Sequence, residues 1–221
     1  MESAHPPRGT RNSIETPENE QEALRQRMEQ LESENILLKE RIKHLESQLG
    51  IDQLTGTSNR SVFENELEHF LKIIRGETEE HRAPAERLTE VSLIFVDLDH
   101  FKQINDTYGH PAGDEVLRRV SAFLMNSVRE TDIVARVGGE EFVVLMPGAD
   151  ESVAARDADT FRMKISQMEF EKHPKLRVTA SFGVSSSKSS QSAKDLYEKA
   201  DKALYEAKRA GRNQVVVAEK E

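Results

Sequence analysis

Hydrophobic and polar positions divide this chain into stretches of different period. Residues 1–19 are polar, carry Pro6, Pro7 and Pro17, and show no apolar repeat. Such a composition buries too little apolar surface to fold, so a disordered tail is expected. Over residues 20–50 the period is seven. Leu24, Leu31, Leu38 and Leu45 recur at one heptad position, with Met28, Asn35, Ile42 and Leu49 interleaved. Leucine at d and a single asparagine among the a positions favour a parallel two-stranded coil. The flanking charges agree: Glu20 with Arg25, Arg27 with Glu32, Glu34 with Lys39 and Arg41 with Glu46 are all attractive g-to-e′ pairs in a parallel register. Such a coil would be roughly 45 Å long, and Gly50 offers a stop. A single amphipathic helix docked on its own domain is the plainer reading of the same stripe.

From residue 51 to 218 the period alternates between helical and extended. Val62, Phe63, Leu67, Phe70, Leu71 and Ile74 predict a helix over 60–74, followed by a polar loop over 76–89. Residues 91–96 read as a buried strand ending in Asp97. Val116, Leu117, Val120, Phe123, Leu124 and Val128 form a helical stripe. Two apolar strands, 133–137 and 142–146, flank a Gly-Gly turn. A helix over 152–168, a strand over 176–184, a helix with Ala193, Leu196, Tyr197, Ala200, Ala203, Leu204 and Ala207 on one face, and a short strand over 214–218 complete the pattern. The order β-α-β-β-α-β, with a helix before and after, predicts an α/β chain of α+β sandwich type, ferredoxin-like and palm-like.

The candidate chemistry lies at two of these strand ends. Gly138-Gly139-Glu140-Glu141-Phe142 places adjacent acids on a hairpin turn, where glycines at positive φ are expected. Neighbouring carboxylates repel at short range unless a cation lies between them; a solvated acidic turn is the alternative in isolation. Asp97 ends another strand. Paired strands would bring Asp97, Glu140 and Glu141 to one edge, a set of hard oxygens suited to Mg²⁺ with phosphate oxygens completing its shell. Such a site can activate a hydroxyl and stabilise charge on a phosphoryl group.

Composition narrows the classes. At 221 residues the chain has room for one sizeable domain and an accessory segment. A net charge of −9 argues against general duplex nucleic-acid binding. The chain lacks cysteine, which excludes disulfide and thiolate chemistry. No apolar run approaches a membrane span and no signal-peptide core opens the chain, so a soluble, cytoplasmic protein away from the membrane is expected.

The ordered motifs resemble the GGDEF-type diguanylate cyclases of bacteria, with Glu140 in the variable third position of the signature. The resemblance runs through Asp52-Gln53-Leu54-Thr55-Gly56-Thr57-Ser58-Asn59-Arg60, Asp97-Leu98-Asp99-His100-Phe101-Lys102-Gln103-Ile104-Asn105-Asp106, Tyr108-Gly109-His110-Pro111-Ala112-Gly113-Asp114, the signature turn and Ser181-Phe182-Gly183-Val184. It closes on Ala200-Asp201-Lys202-Ala203-Leu204-Tyr205-Glu206-Ala207-Lys208-Arg209-Ala210-Gly211-Arg212-Asn213. It implies a GGDEF domain that condenses two GTP into cyclic di-GMP with release of two pyrophosphates.

By motif position, Asp97, the backbone carbonyl of Leu98 and Glu140 would hold Mg²⁺, or Mn²⁺ in its place. Glu140 would also accept the proton of the 3′-hydroxyl and Glu141 would be a second metal contact, the division between the two acids staying open. Lys102 would neutralise phosphate charge. Asn105 and Asp114, with His110, would read guanine, and Lys208 and Arg212, one helical turn apart, would meet the distal phosphates. Arg129 and Asp132 resemble the family's product-inhibition site, making cyclic di-GMP both product and inhibitor; a surface charge pair is the plain alternative. Phe101 and Tyr205 are expected to pack. Thr57 and Ser58 depart from the more usual apolar and proline-like residues of the opening motif and touch no proposed ligand.

One domain holds one GTP, so synthesis implies a homodimer through the coil. The tail leaves room for phosphorylation or an unidentified regulatory protein. A non-catalytic relative that binds GTP or cyclic di-GMP and signals through partners is the runner-up; a coiled-coil scaffold with an inert globular part is a third class, disfavoured by acids and glycines gathered at strand ends.

Overall fold

The computed structural model describes residues 21, 24–38, 50–77 and 88–219. The expected tail, the heptad positions Ile42, Leu45 and Leu49, the paired charges Glu20, Lys39, Arg41 and Glu46, and the centre of the 76–89 loop lie outside the described residues. Contacts divide the chain into Met1–Leu45 and Glu46–Glu221. In the first unit residues 24–38 form a helix, α1, whose Leu24, Met28, Leu31 and Leu38 are all exposed in the single chain.

The second unit is built on a mixed sheet of order β1-β3-β4-β2-β5-β6. Its strands are β1 (Ser58–Asn59), β2 (Val91–Leu98), β3 (Ile133–Arg136), β4 (Glu141–Pro147), β5 (Ala180–Ser186) and β6 (Val215–Val217). The β2 strand lies centrally, antiparallel to both β4 and β5. Its period of two sorts the core. Ile94, Val96 and Leu98 join Phe142, Val144 and Phe182 on one face, while Val91, Leu93 and Phe95 join Val143 and Leu145 on the other. A strand buried on both faces reads as a continuous apolar run, as 93–96 does, while the buried Ser92 donates its hydroxyl to the Ala149 carbonyl at 2.9 Å.

Helices cover both faces. α4 (His110–Ser127) and α5 (Glu151–Ser166) bury Val116, Val120, Leu124, Ala158 and Ile165 on one side. α2 (Arg60–Arg75) and α6 (Ala193–Arg209) bury Phe63, Leu67, Leu71, Leu196, Ala200 and Leu204 on the other. Asn59 starts α2 by accepting from the Val62 N–H at 3.0 Å, and Gly76 at φ 72° ends it. Asp150 and Ser192 cap α5 and α6 in the same way as Asn59.

The sequence pattern missed a short helix, α3 (Phe101–Tyr108), which Gly109 separates from α4. The strand expected over 176–184 begins only at Ala180. Leu176 and Val178 are buried nonetheless. Leu176 N–H closes a turn onto His173, so these residues supply core side chains without a ladder.

Candidate active site

β2 and β4 pair so that Asp97 stands directly opposite Glu141, and the Leu98 N–H donates to the Glu140 carbonyl at 3.3 Å. Strand register therefore brings the three predicted acids, with Leu98, to one rim of the sheet. Asp97 is 6% exposed, and its carboxylate meets Lys208 Nζ at 2.7 Å. Burial, together with the charges of Glu140 and Glu141, pushes Asp97 up to about 6 against the pull of Lys208. The rim thus gathers three carboxylates, and Lys208 from the last turn of α6 offsets their charge in part.

The carboxylates are not closed into a cage. Among the described residues no group of three His, Asp or Glu side chains is arranged around a common ion position. Asp97 is turned to Lys208, and the Glu141 carboxylate folds back over Gly138, where an added Cβ would lie 2.0 Å from its Oε2. This corrects the expected role of the Gly-Gly pair: neither glycine has positive φ. A side chain at Gly138 would instead displace the Glu141 carboxylate from the position it takes over the turn. The donor set still fits a hard divalent ion, since all its atoms are oxygens on a rim already short of positive charge.

The corner between α3 and α4 holds the predicted base readers. Asn105 Oδ1 is buried and has no hydrogen-bond partner. It lies against Gly113, where a Cβ would come within 1.9 Å of it. Asp114 follows directly, half-buried and 3.9 Å from Arg118. His110 is exposed at the start of α4 and Lys102 is exposed in the first turn of α3. A buried acceptor left unpaired carries a desolvation penalty, which a guanine N–H would relieve.

Lys208 and Arg212 are not on successive helical turns. α6 ends at Arg209, and Arg212 sits beyond Gly211 at φ 64°, its N–H returning to the Ala207 carbonyl at 3.0 Å. Tyr205, expected to pack, is 59% exposed with Arg209 over its ring. Phe101 does enter the core.

Away from the rim, Asp132 accepts from the Arg129 N–H at 3.0 Å through Oδ2, while its Oδ1 is buried without a partner. Burial raises its pKa and Arg129 opposes the rise. The pair borders an open cavity of about 300 Å³ that also touches Gly56, Thr57, Ser58 and Met125.

Two residues beneath the signature turn were missed from sequence. Arg136 donates to the Gly139 carbonyl at 2.7 Å and to Asp52 at 3.2 Å, tying the turn to the opening motif. Burial would raise Asp52, but Thr55 and Arg136 hold it below its ordinary value. The available signal was an arginine set within an otherwise apolar strand.

The diguanylate cyclase GGDEF domain family matches residues 49–214. This chain belongs to that family. A diguanylate cyclase of Treponema denticola, diguanylate cyclase A, is 42% identical over 135 residues, covering 60% of this chain and 36% of its own. Diguanylate cyclase DgcP of Pseudomonas aeruginosa is 38% identical over 168 residues, 76% of this chain and 24% of its own. The chain therefore spans roughly a quarter to a third of the length of these curated relatives. Among solved structures, the coiled coil and GGDEF domain of DgcB from Caulobacter crescentus, in complex with c-di-GMP, superposes with TM-score 0.68 at 30% identity, covering 89% of this chain and 100% of that one. No helix among the described residues is long and apolar enough to cross a membrane.

Proposed function

We propose that this GGDEF domain condenses two GTP molecules into cyclic di-GMP and releases two pyrophosphates. The observation that carries the reading is the register of Asp97 against Glu141, with Glu140 and Lys208 at the same rim. Each 3′-hydroxyl oxygen forms a bond to the α-phosphorus of the other nucleotide as the bond to pyrophosphate breaks. Its proton passes to Glu140. A Mg²⁺ held by Asp97, the Leu98 carbonyl and Glu140, with Glu141 beside them, would supply the positive charge that activates the hydroxyl and steadies the phosphoryl oxygens.

The chain's own residues do the remainder. Asn105 and Asp114 pair with the guanine edge, and the unpartnered Asn105 Oδ1 supports this because an adenine base presents no N–H to it at N1. His110 lines the same pocket. Lys102, exposed in the first turn of α3, and Lys208 with Arg212 take the phosphates, which compete with Asp97 for the Lys208 ammonium.

Stoichiometry requires a second copy, since each domain supplies one half of the product. The heptads of 20–50 provide it as a parallel coil, and a short tether places the second site at an effective concentration on the order of millimolar. A coil accompanies the GGDEF domain in the DgcB structure, and the exposed seam Leu24, Met28, Leu31, Leu38 is an apolar face suited to pairing with its own copy. Arg129 and Asp132 bind returning cyclic di-GMP and stall synthesis, an arginine fork being suited to phosphate and the Hoogsteen edge of guanine.

The test is product identification. The full chain with GTP and Mg²⁺ is expected to yield cyclic di-GMP, with none formed by Glu140→Gln. GTP left unchanged, or hydrolysed only to GDP, rejects the proposal.

A further inference from the structure

Asp99 follows the rim acid Asp97 at a spacing of one residue, yet its surroundings differ. It is 4% exposed. Its Oδ1 accepts from Ser181 Oγ at 2.7 Å, and its Oδ2 accepts from Thr179 Oγ1 at 2.7 Å and from the Asn213 backbone N–H at 3.1 Å. The two hydroxyls can rotate to other acceptors. The Asn213 N–H cannot, and it belongs to the loop that follows α6.

That loop holds consecutive non-glycine residues in left-handed backbone, Arg212 at φ 64° and Asn213 at φ 46°, after Gly211 at φ 120°. Such backbone is unfavourable for residues with a Cβ and persists only where its surroundings over-determine it. On one side the loop is tied to α6, through Arg212 N–H and Gln214 Nε2 to the Ala207 carbonyl. On the other it is tied to β5 by Phe182 N–H to Gln214, and to the exit of β2 by Asp99. Asn213 does not anchor the loop through its own amide oxygen, which is buried and finds no hydrogen-bond partner.

We infer that Asp99 is a positioning residue: its carboxylate fixes the left-handed loop so that Arg212 is presented to the terminal phosphates of the nucleotide. The inference rests on the proposed reading of Arg212 as a phosphate contact. Aspartates separated by Leu98 then divide the work, Asp97 facing the cation and Asp99 holding the loop that bears the distal cationic group.

The experiment compares equilibrium affinities of the full chain for GTP and for GMP, which lacks the terminal phosphates. Arg212→Ala is expected to weaken GTP on the order of tenfold, as for loss of a charged hydrogen bond, and to leave GMP unchanged. Asp99→Ala is expected to show the same split. Asp99→Asn is expected to recover most of the GTP affinity, because the amide oxygen can accept from Asn213 while the NH₂ donates to a hydroxyl.

Equal losses for both nucleotides in Asp99→Ala, or no loss, would overturn the inference while Arg212→Ala still splits them. If Arg212→Ala shows no split, the phosphate reading fails and the inference with it. Hydrogen exchange of the wild-type chain is independent of variant folding. A slow Asn213 amide is expected, and exchange as fast as that of the exposed Gly211 refutes the anchor.

Discussion

Replacing Asp97 by asparagine should stabilise the metal-free protein while abolishing synthesis. In the fold Asp97 is raised from 3.8 to about 6. A raised carboxyl binds its proton more tightly folded than unfolded, so the stability it contributes is present below about pH 3.8 and lost as pH rises through about 6. At ~1.4 kcal/mol per pH unit, the charged carboxylate costs the fold about 3 kcal/mol above pH 7. Asparagine resembles the protonated acid in shape and carries no charge, and Lys208, a third exposed, can turn to water. With an m-value of about 2 kcal/mol per molar urea, the unfolding midpoint should move up by roughly 1.5 M at about pH 7.5. The gap should narrow to about 1 kcal/mol near pH 4.5.

The assay is urea unfolding in EDTA at both pH values, followed by helix signal. Mg²⁺ should then raise the wild-type midpoint by mass action and move that of the variant less at the same concentration. An asparagine variant no more stable than wild type near pH 7.5, or a gap independent of pH, refutes the claim that the buried charge of Asp97 is what a cation relieves.

Other outcomes follow from the same geometry. Gly113→Ala places a Cβ where Asn105 Oδ1 now lies, so the KM for GTP should rise on the order of tenfold or more and the preference for GTP over ATP should shrink; initial rates with both nucleotides measure it. Arg129→Ala should yield more cyclic di-GMP per enzyme before the progress curve flattens, with the initial rate unchanged. Leu31→Pro with Leu38→Pro should break α1, at about 3 kcal/mol per proline, giving a monomer by light scattering that binds GTP and makes no product.

Much of this fold was legible because its strands and helices carry clean periods. The β2 strand stood out as an apolar run that ends on an acid, and the α6 stripe of alanines and leucines announced a helix with one apolar face. The pairing of Asp97 with the signature turn was readable as a consequence of sheet adjacency. What sequence hid was side-chain choice. Lys208 on Asp97, the fold of Glu141 over Gly138, and Asp52 reaching Arg136 depend on packing between residues far apart in the chain. Left-handed backbone at Arg212 was equally hidden, because neither it nor Asn213 is a glycine and the anchor that holds them, Asp99, lies in another motif. The short α3 helix escaped because its buried residues, Phe101 and Ile104, are too few to show a period.

The most direct measurement is a Mn²⁺ titration of the nucleotide-free chain, with free ion followed by electron paramagnetic resonance, for wild type, Asp97→Asn and Glu140→Gln. Binding by the wild type is expected, with each substitution weakening it on the order of tenfold or more as an anionic ligand is lost. Equal Mn²⁺ affinity in all three proteins would show that the cation is held elsewhere and that this rim is not the catalytic centre.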